Sequence, residues 1–111
     1  MKTEATRAGE FLVSEANGKR SRESITVTGG PYPAGQVLGK ITASGKYTAY
    51  TPAATNGTEA AAGVLWDAAD GSAADVSAVA IVRDAEIDAA TITGADADAI
   101  TDLAALGIIA R

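Results

Sequence analysis

Half of the apolar residues in this 111-residue chain are alanine, 26 of 52, and that shortage of bulk constrains the fold more than any motif does. Burial stabilises in proportion to the apolar area removed from water, so an alanine-rich interior contributes little per residue. The other 26 apolar residues must build most of the core, and aromatic residues make up only 5% of the chain. The length fits one domain. Small domains short of core commonly recruit disulfides, a metal or a partner chain. There is no Cys and no His, which removes disulfides and the usual zinc ligands. It also removes the Ser-His-Asp and Cys-His nucleophiles. Association with other subunits is the device that remains.

The formal charge of -5 and the pI of about 4.5 argue against a sequence-independent grip on nucleic acid. The charge is unevenly spread. Residues 1–46 carry seven Lys or Arg against four Glu, and residues 47–111 carry two Arg against ten acids. The acids keep an alanine-rich surface soluble, whereas the basic cluster Lys19, Arg20 and Arg22 suits either an acidic partner or plain solvation. The longest apolar runs, such as AAAGVLW (60–66), fall short of the roughly 20 residues of a membrane helix. The opening MKTEATRAGE has acids where a signal peptide is apolar. A soluble intracellular product with no membrane partner is the expectation.

Residues 1–23 lack apolar periodicity apart from Phe11, Leu12 and Val13, and are expected to form an extended arm that orders only on a partner. The β pattern begins at Ser24. SITVTGG (24–30) alternates strictly, with Ile25 and Val27 on one face; two glycines and PYP (31–33) then stop the strand, since proline cannot donate to a ladder. QVLGKITA (36–43) and KYTAYT (46–51) flank Ser44-Gly45 as a hairpin. AAGVLWDA (61–68) reads as a strand, DAADGSAAD (67–75) as a polar connection, and VSAVAIVRDAEI (76–87) as one long strand. Apolar residues on both faces of the last make it central or covered by a neighbour. Ile100, Leu103, Ala104 and Gly107 follow helical spacing, which predicts a helix over 96–106 opened by acids and ended by Gly107, with Ile108 and Ile109 as an apolar plug.

Fragments that mimic active motifs fail on spacing. AGQVLGKI (34–41) separates its glycines by three residues instead of four and has Ile41 where a phosphate loop needs Ser or Thr. DAADGSAAD puts Ala69 and Gly71 where a calcium loop needs oxygen ligands. Asn56-Gly57-Thr58 is a sequon in form and a turn in context. Of the acids, Asp84 and Glu86 beside Arg83 form the strongest catalytic candidate, with a polar strand end as the plainer explanation. Trp66 suits stacking on a sugar or base, and equally a core or subunit contact. No catalytic residue, metal site or cofactor follows from these residues.

SRESITVTGG (21–30), GQVLGKITASGKYTAYTP (35–52), AAAGVLWDA (60–68) and AVAIVRDAEID (78–88), in that order and followed by the closing helix, resemble the head decoration protein D family of tailed bacteriophages. The resemblance runs from about Phe11 to the C-terminus and rests on order, spacing and length. It implies a mainly β fold: a compact small β domain of β-clip or β-tulip type over 24–111, with one short C-terminal helix and a flexible N-terminal arm, 1–23. It implies a homotrimer that binds the major capsid protein at three-fold and quasi-three-fold positions outside the expanded head, stabilising it against DNA pressure. The arm is then the capsid-binding element, and Phe11, Leu12, Val13 and Ser14 are its expected contact residues. The basic cluster GKRSR (18–22) maps onto no family role. Deletion of residues 2–15 is expected to abolish binding and leave the domain folded. The alternatives are a phage tail or baseplate adaptor or other small oligomeric β module, which ignores capsids, and, ranked lower, a small carbohydrate-binding or hydrolytic domain using Arg83, Asp84 and Glu86 near Trp66.

Overall fold

A computed structural model describes residues 9, 11–15 and 21–111. Its elements in chain order are β1 (Leu12–Glu15), β2 (Arg22–Tyr32), β3 (Val37–Lys40), β4 (Tyr47–Ala49), β5 (Ala61–Leu65), β6 (Ala69–Ile81), β7 (Ala85–Ile87), α1 (Ala97–Ala105) and β8 (Ile108–Ala110). The fold is mainly β with one short helix near the C-terminus. Five strands close a barrel in the order β2-β4-β3-β5-β6, and the other three form a sheet in the order β1-β7-β8. Closure removes the unpaired edges that an open sheet exposes.

Side chains alternate across the barrel wall, and this alternation builds two cores instead of one. Ile25, Val27, Leu38, Tyr47, Leu65, Ala80 and Val82 make up the inner cluster. The sequence neighbours Val37, Val64 and Ile81 point the other way, into a second cluster with Phe11, Ile87, Leu103 and Ile108. That second core lies between the barrel wall and a cover made of the three-stranded sheet and the helix. Two-faced apolar strands are what such a wall requires: within the expected strand 76–87, Ala80 enters one core and Ile81 the other, whereas Val79 is 37% exposed. Small side chains also have a place in it: Ala61, Ala85 and Ala99 are buried in the outer cluster.

Three expectations are corrected. β2 does not stop at the glycines. It continues through Gly29, Gly30 and Pro31 to Tyr32, with register shifts against β6 that absorb the irregular residues. The polar stretch 67–75 is not a connection: from Ala69 it forms the first half of β6, with Gly71 opposite Gly29 and Ala69 opposite Tyr32. Main-chain pairing needs no apolar alternation, so periodicity is silent there. The expected strand 76–87 is broken, because Asp84 adopts φ 49 and turns the chain out of the barrel into the second sheet as β7.

The helix stands where its spacing put it. The Asp96 carboxylate accepts from the Ala99 amide at 2.8 Å as the N-cap, and Gly107, with φ 83, reverses the chain beyond Leu106. Leu103 and Ala99 are fully buried. Tyr50 donates its hydroxyl to Asp96 at 2.9 Å, and Asp102 accepts from the Ala61 amide at 3.0 Å, tying the helix to β5 and to the end of the β3–β4 hairpin. The apolar plug is strand β8, parallel to β7 with Ile108 opposite Ala85.

Candidate functional site

The expected arm residues sit on the edge of the three-stranded sheet. β1 runs antiparallel to β7, with Leu12 opposite Ile87 and Ser14 opposite Glu86. The register shifts between Leu12 and Ser14, so Val13 is an extra residue of the kind that re-aims side chains at sheet edges. Phe11, just before the strand, is completely buried in the outer core, and its carbonyl accepts from the Asp88 amide at 2.7 Å. Leu12 packs partly against the same core, whereas Val13 is 56% exposed and Ser14 faces solvent. The four residues therefore divide: two hold the segment to the body of its own chain and two face outward. Of the first 23 residues, the described ones are Gly9, residues 11–15 and Ser21 to Glu23; Lys19 and Arg20 of the basic cluster lie outside the described residues.

The outward row across this sheet is Ser14, Glu86 and Ile109. Together with Arg111 they line a shallow groove of about 390 Å³. Glu86 pairs with Arg111, and that hydrogen bond holds its carboxyl below the usual carboxylate range, against an opposing effect of desolvation and with a smaller contribution from Ser14. Ile109 is 41% exposed. The groove thus sets the Glu86–Arg111 pair beside exposed Ile109, with Glu15 and Asp84 also on its lining.

On the flank of β1, Arg22 donates to both carboxylate oxygens of Glu15, at 2.7 and 3.1 Å. This bond to Glu15 is the main reason its guanidinium is held more firmly protonated than usual, with burial opposing. The same guanidinium lies 3.8 Å from the centroid of Trp66. Sequence reasoning found Arg22 and Trp66 separately and missed their stacking, for which one-dimensional spacing carries no signal.

Of the catalytic alternative, Asp84 and Glu86 line the same groove beside Arg111, but Arg83 does not reach it and none of the three lines the groove at Trp66. Arg83 reaches Glu23 at 3.7 Å, and Glu86 belongs to the outward row with Arg111. The Asp84 carbonyl accepts from the Ser21 hydroxyl at 2.8 Å in the turn between the sheets. The groove at Trp66 is lined by Asp67, Asp70, Val76 and Val79 among others, and by none of those three. The phosphate-loop look-alike is β3, where a Cβ on Gly39 would come 2.6 Å from the Thr58 Cα; the glycine admits the 51–60 loop. Among the described residues no His, Cys, Asp and Glu side chains gather into a metal-holding group, and no helix is long and apolar enough to cross a membrane.

Fold and surface together define a small β-barrel module with a second, three-stranded sheet whose edge strand, β1, exposes Val13 and Ser14. The family model for bacteriophage lambda head decoration protein D matches residues 1–108, and the chain belongs to that family. Neither a curated protein nor a solved structure matches the chain. Membership makes it a phage head decoration protein, a structural component of the virion capsid.

Proposed function

We propose that the chain acts as a homotrimer on the outer surface of the expanded phage head, at three-fold and quasi-three-fold positions of the major capsid protein lattice, and stabilises that lattice against the pressure of packaged DNA. The family match over residues 1–108 carries this reading. The arm, residues 1–23, makes the capsid contact. Val13 and Ser14 face the partner, and Phe11 and Leu12 set their direction from below. An edge strand with exposed side chains suits strand addition, in which main-chain hydrogen bonds supply affinity and alternate side chains specificity. A closed cyclic contact gives the trimer, and an alanine-rich body gains stability from it. The family is structural, so the reading assigns no reaction and no cofactor.

Burial of Phe11 alters the truncation that tests the arm. Removing residues 2–15 would take a fully buried ring out of the core, so its loss of binding would be confounded with unfolding. The decisive experiment is co-sedimentation of the intact protein with unexpanded and expanded shells of the capsid protein from the same genome. Saturable binding to expanded shells alone is expected. Binding to neither shell overturns the decoration reading, and equal binding to both removes its dependence on expansion.

A further inference from the structure

Resting on the capsid-binding reading above, we infer that Trp66 is the post on which the N-terminal arm hangs, a positioning residue that fixes where the arm leaves the domain and how β1 is presented. Trp66 follows β5 directly, and its amide donates to the Val79 carbonyl on β6 at 2.9 Å, so the post is rooted in the barrel wall. Three points of the arm converge on it. The Gly9 amide donates to the Trp66 carbonyl at 3.0 Å, and the Leu12 amide closes a turn back to Gly9 at 3.0 Å. Gly9 also lies against the indole: at φ +69, a Cβ there would sit 2.5 Å from the ring carbon Cη2. Glycine alone takes that dihedral and that approach without strain.

Phe11 meets the same indole edge to face, with centroids 6.2 Å apart and planes at 76°, the arrangement that ring quadrupoles favour. Beyond the far end of β1, Arg22 stacks at 3.8 Å, held in place by its two bonds to Glu15. Gly9 and Phe11 before the edge strand, and Arg22 at the start of β2 after it, are therefore fixed to one side chain. That side chain is only half-buried and packs against the outer core to which Phe11 belongs. A binding segment held in its bound direction loses less freedom on association, so the post raises capsid affinity without touching the capsid.

The test uses the full chain and three variants: Trp66→Ala, the conservative Trp66→Phe, and Gly9→Ala, which leaves every barrel residue in place. Amide hydrogen exchange of residues 9–15 is read on the free protein, urea unfolding gives global stability, and occupancy of expanded shells is read at limiting protein. Loss of the aromatic and cation–π contacts corresponds to about tenfold faster exchange. Trp66→Ala and Gly9→Ala are expected to show it, with a comparable loss of shell affinity, and Trp66→Phe to recover most of both. Gly9→Ala is expected to lower global stability by no more than the same tenfold and to leave exchange in the barrel strands unchanged relative to that global loss, which separates positioning from general destabilisation. Unchanged exchange in Trp66→Ala and Gly9→Ala overturns the post. Faster exchange with undiminished shell occupancy overturns its role in presenting the arm. Wild-type protein that binds no shell refutes the decoration reading instead, and the exchange data then decide the anchoring by themselves.

Discussion

Replacing Phe11 by alanine separates two descriptions of the N-terminal segment: an arm with no share in the core, and a strand anchored in it. In the structure the ring is fully buried among Ile87, Leu103, Ile108 and their neighbours. A phenylalanine hides about 150–250 Å², which at about 25 cal/mol per Å² is ~4–6 kcal/mol. Alanine keeps part of that area, and the unfolded chain already hides some, which leaves a loss of about 3–5 kcal/mol. Against a total stability of about 5–15 kcal/mol the loss is large. At roughly 4 °C per kcal/mol it lowers the melting temperature by ~12–20 °C. The assay is calorimetry or urea unfolding at one fixed protein concentration, since the midpoint of an oligomer depends on concentration. Val13→Ala, at a position 56% exposed, is the internal control and is expected to change stability by less than about 0.5 kcal/mol. A loss below about 1 kcal/mol in Phe11→Ala, indistinguishable from Val13→Ala, would refute the docking of β1 onto the domain.

Three further outcomes follow from the same geometry. Gly39→Ala is expected to destabilise by about 1–3 kcal/mol, because the new methyl meets the Thr58 backbone at 2.6 Å and one strand or loop must move; an unchanged urea midpoint would show that the loop gives way freely. Asp96→Ala is expected to cost more stability at neutral pH than at pH 3. The Asp96 carboxyl lies below its usual range, first through the Ala99 amide and, less, the Tyr50 hydroxyl, with burial opposing. A depressed folded value stabilises above the unfolded value of about 3.9 and stops doing so as pH falls through the folded one, so equal penalties at the two pH values would contradict the assignment. Val13→Asp is expected to leave the melting temperature within a few degrees of wild type and to reduce occupancy of expanded shells, through the cost of desolvating a charge at the contact; full occupancy would remove Val13 from the interface.

Parts of the site were legible in the sequence. Phe11, Leu12 and Val13 stand out as the only large apolar residues of the first 23 apart from Met1, and that contrast marks them without structural help. Their division was not legible, because burial of Phe11 depends on Ile87, Leu103 and Ile108, all far along the chain. Arg22 was visible as one of a basic trio, but its bonds to Glu15 and Trp66 depend on the path of the backbone around β1. The outward Ser14–Glu86–Ile109 row joins three distant segments through strand register, which a one-residue slip would rearrange entirely.

The sequence by itself determined the local vocabulary of this protein. Strict alternation in 24–28 made a strand, the Ser44-Gly45 turn made a hairpin, and the spacing of Ile100, Leu103 and Ala104 between Asp96 and Gly107 made a capped helix. Each of these depends on interactions within a few residues. Tertiary structure decided what the strands do with two apolar faces: Ile81 goes to one core, Ala80 and Val82 to the other. It carried β6 through an acidic, glycine-containing stretch and turned the chain at Asp84. It also folded Phe11 under the second sheet. The reason is that pairing partners lie far apart in sequence, as with Ser21 and Asp84 at a separation of 63 residues. Periodicity reports that a face is apolar, and only the closed barrel decides which core that face enters.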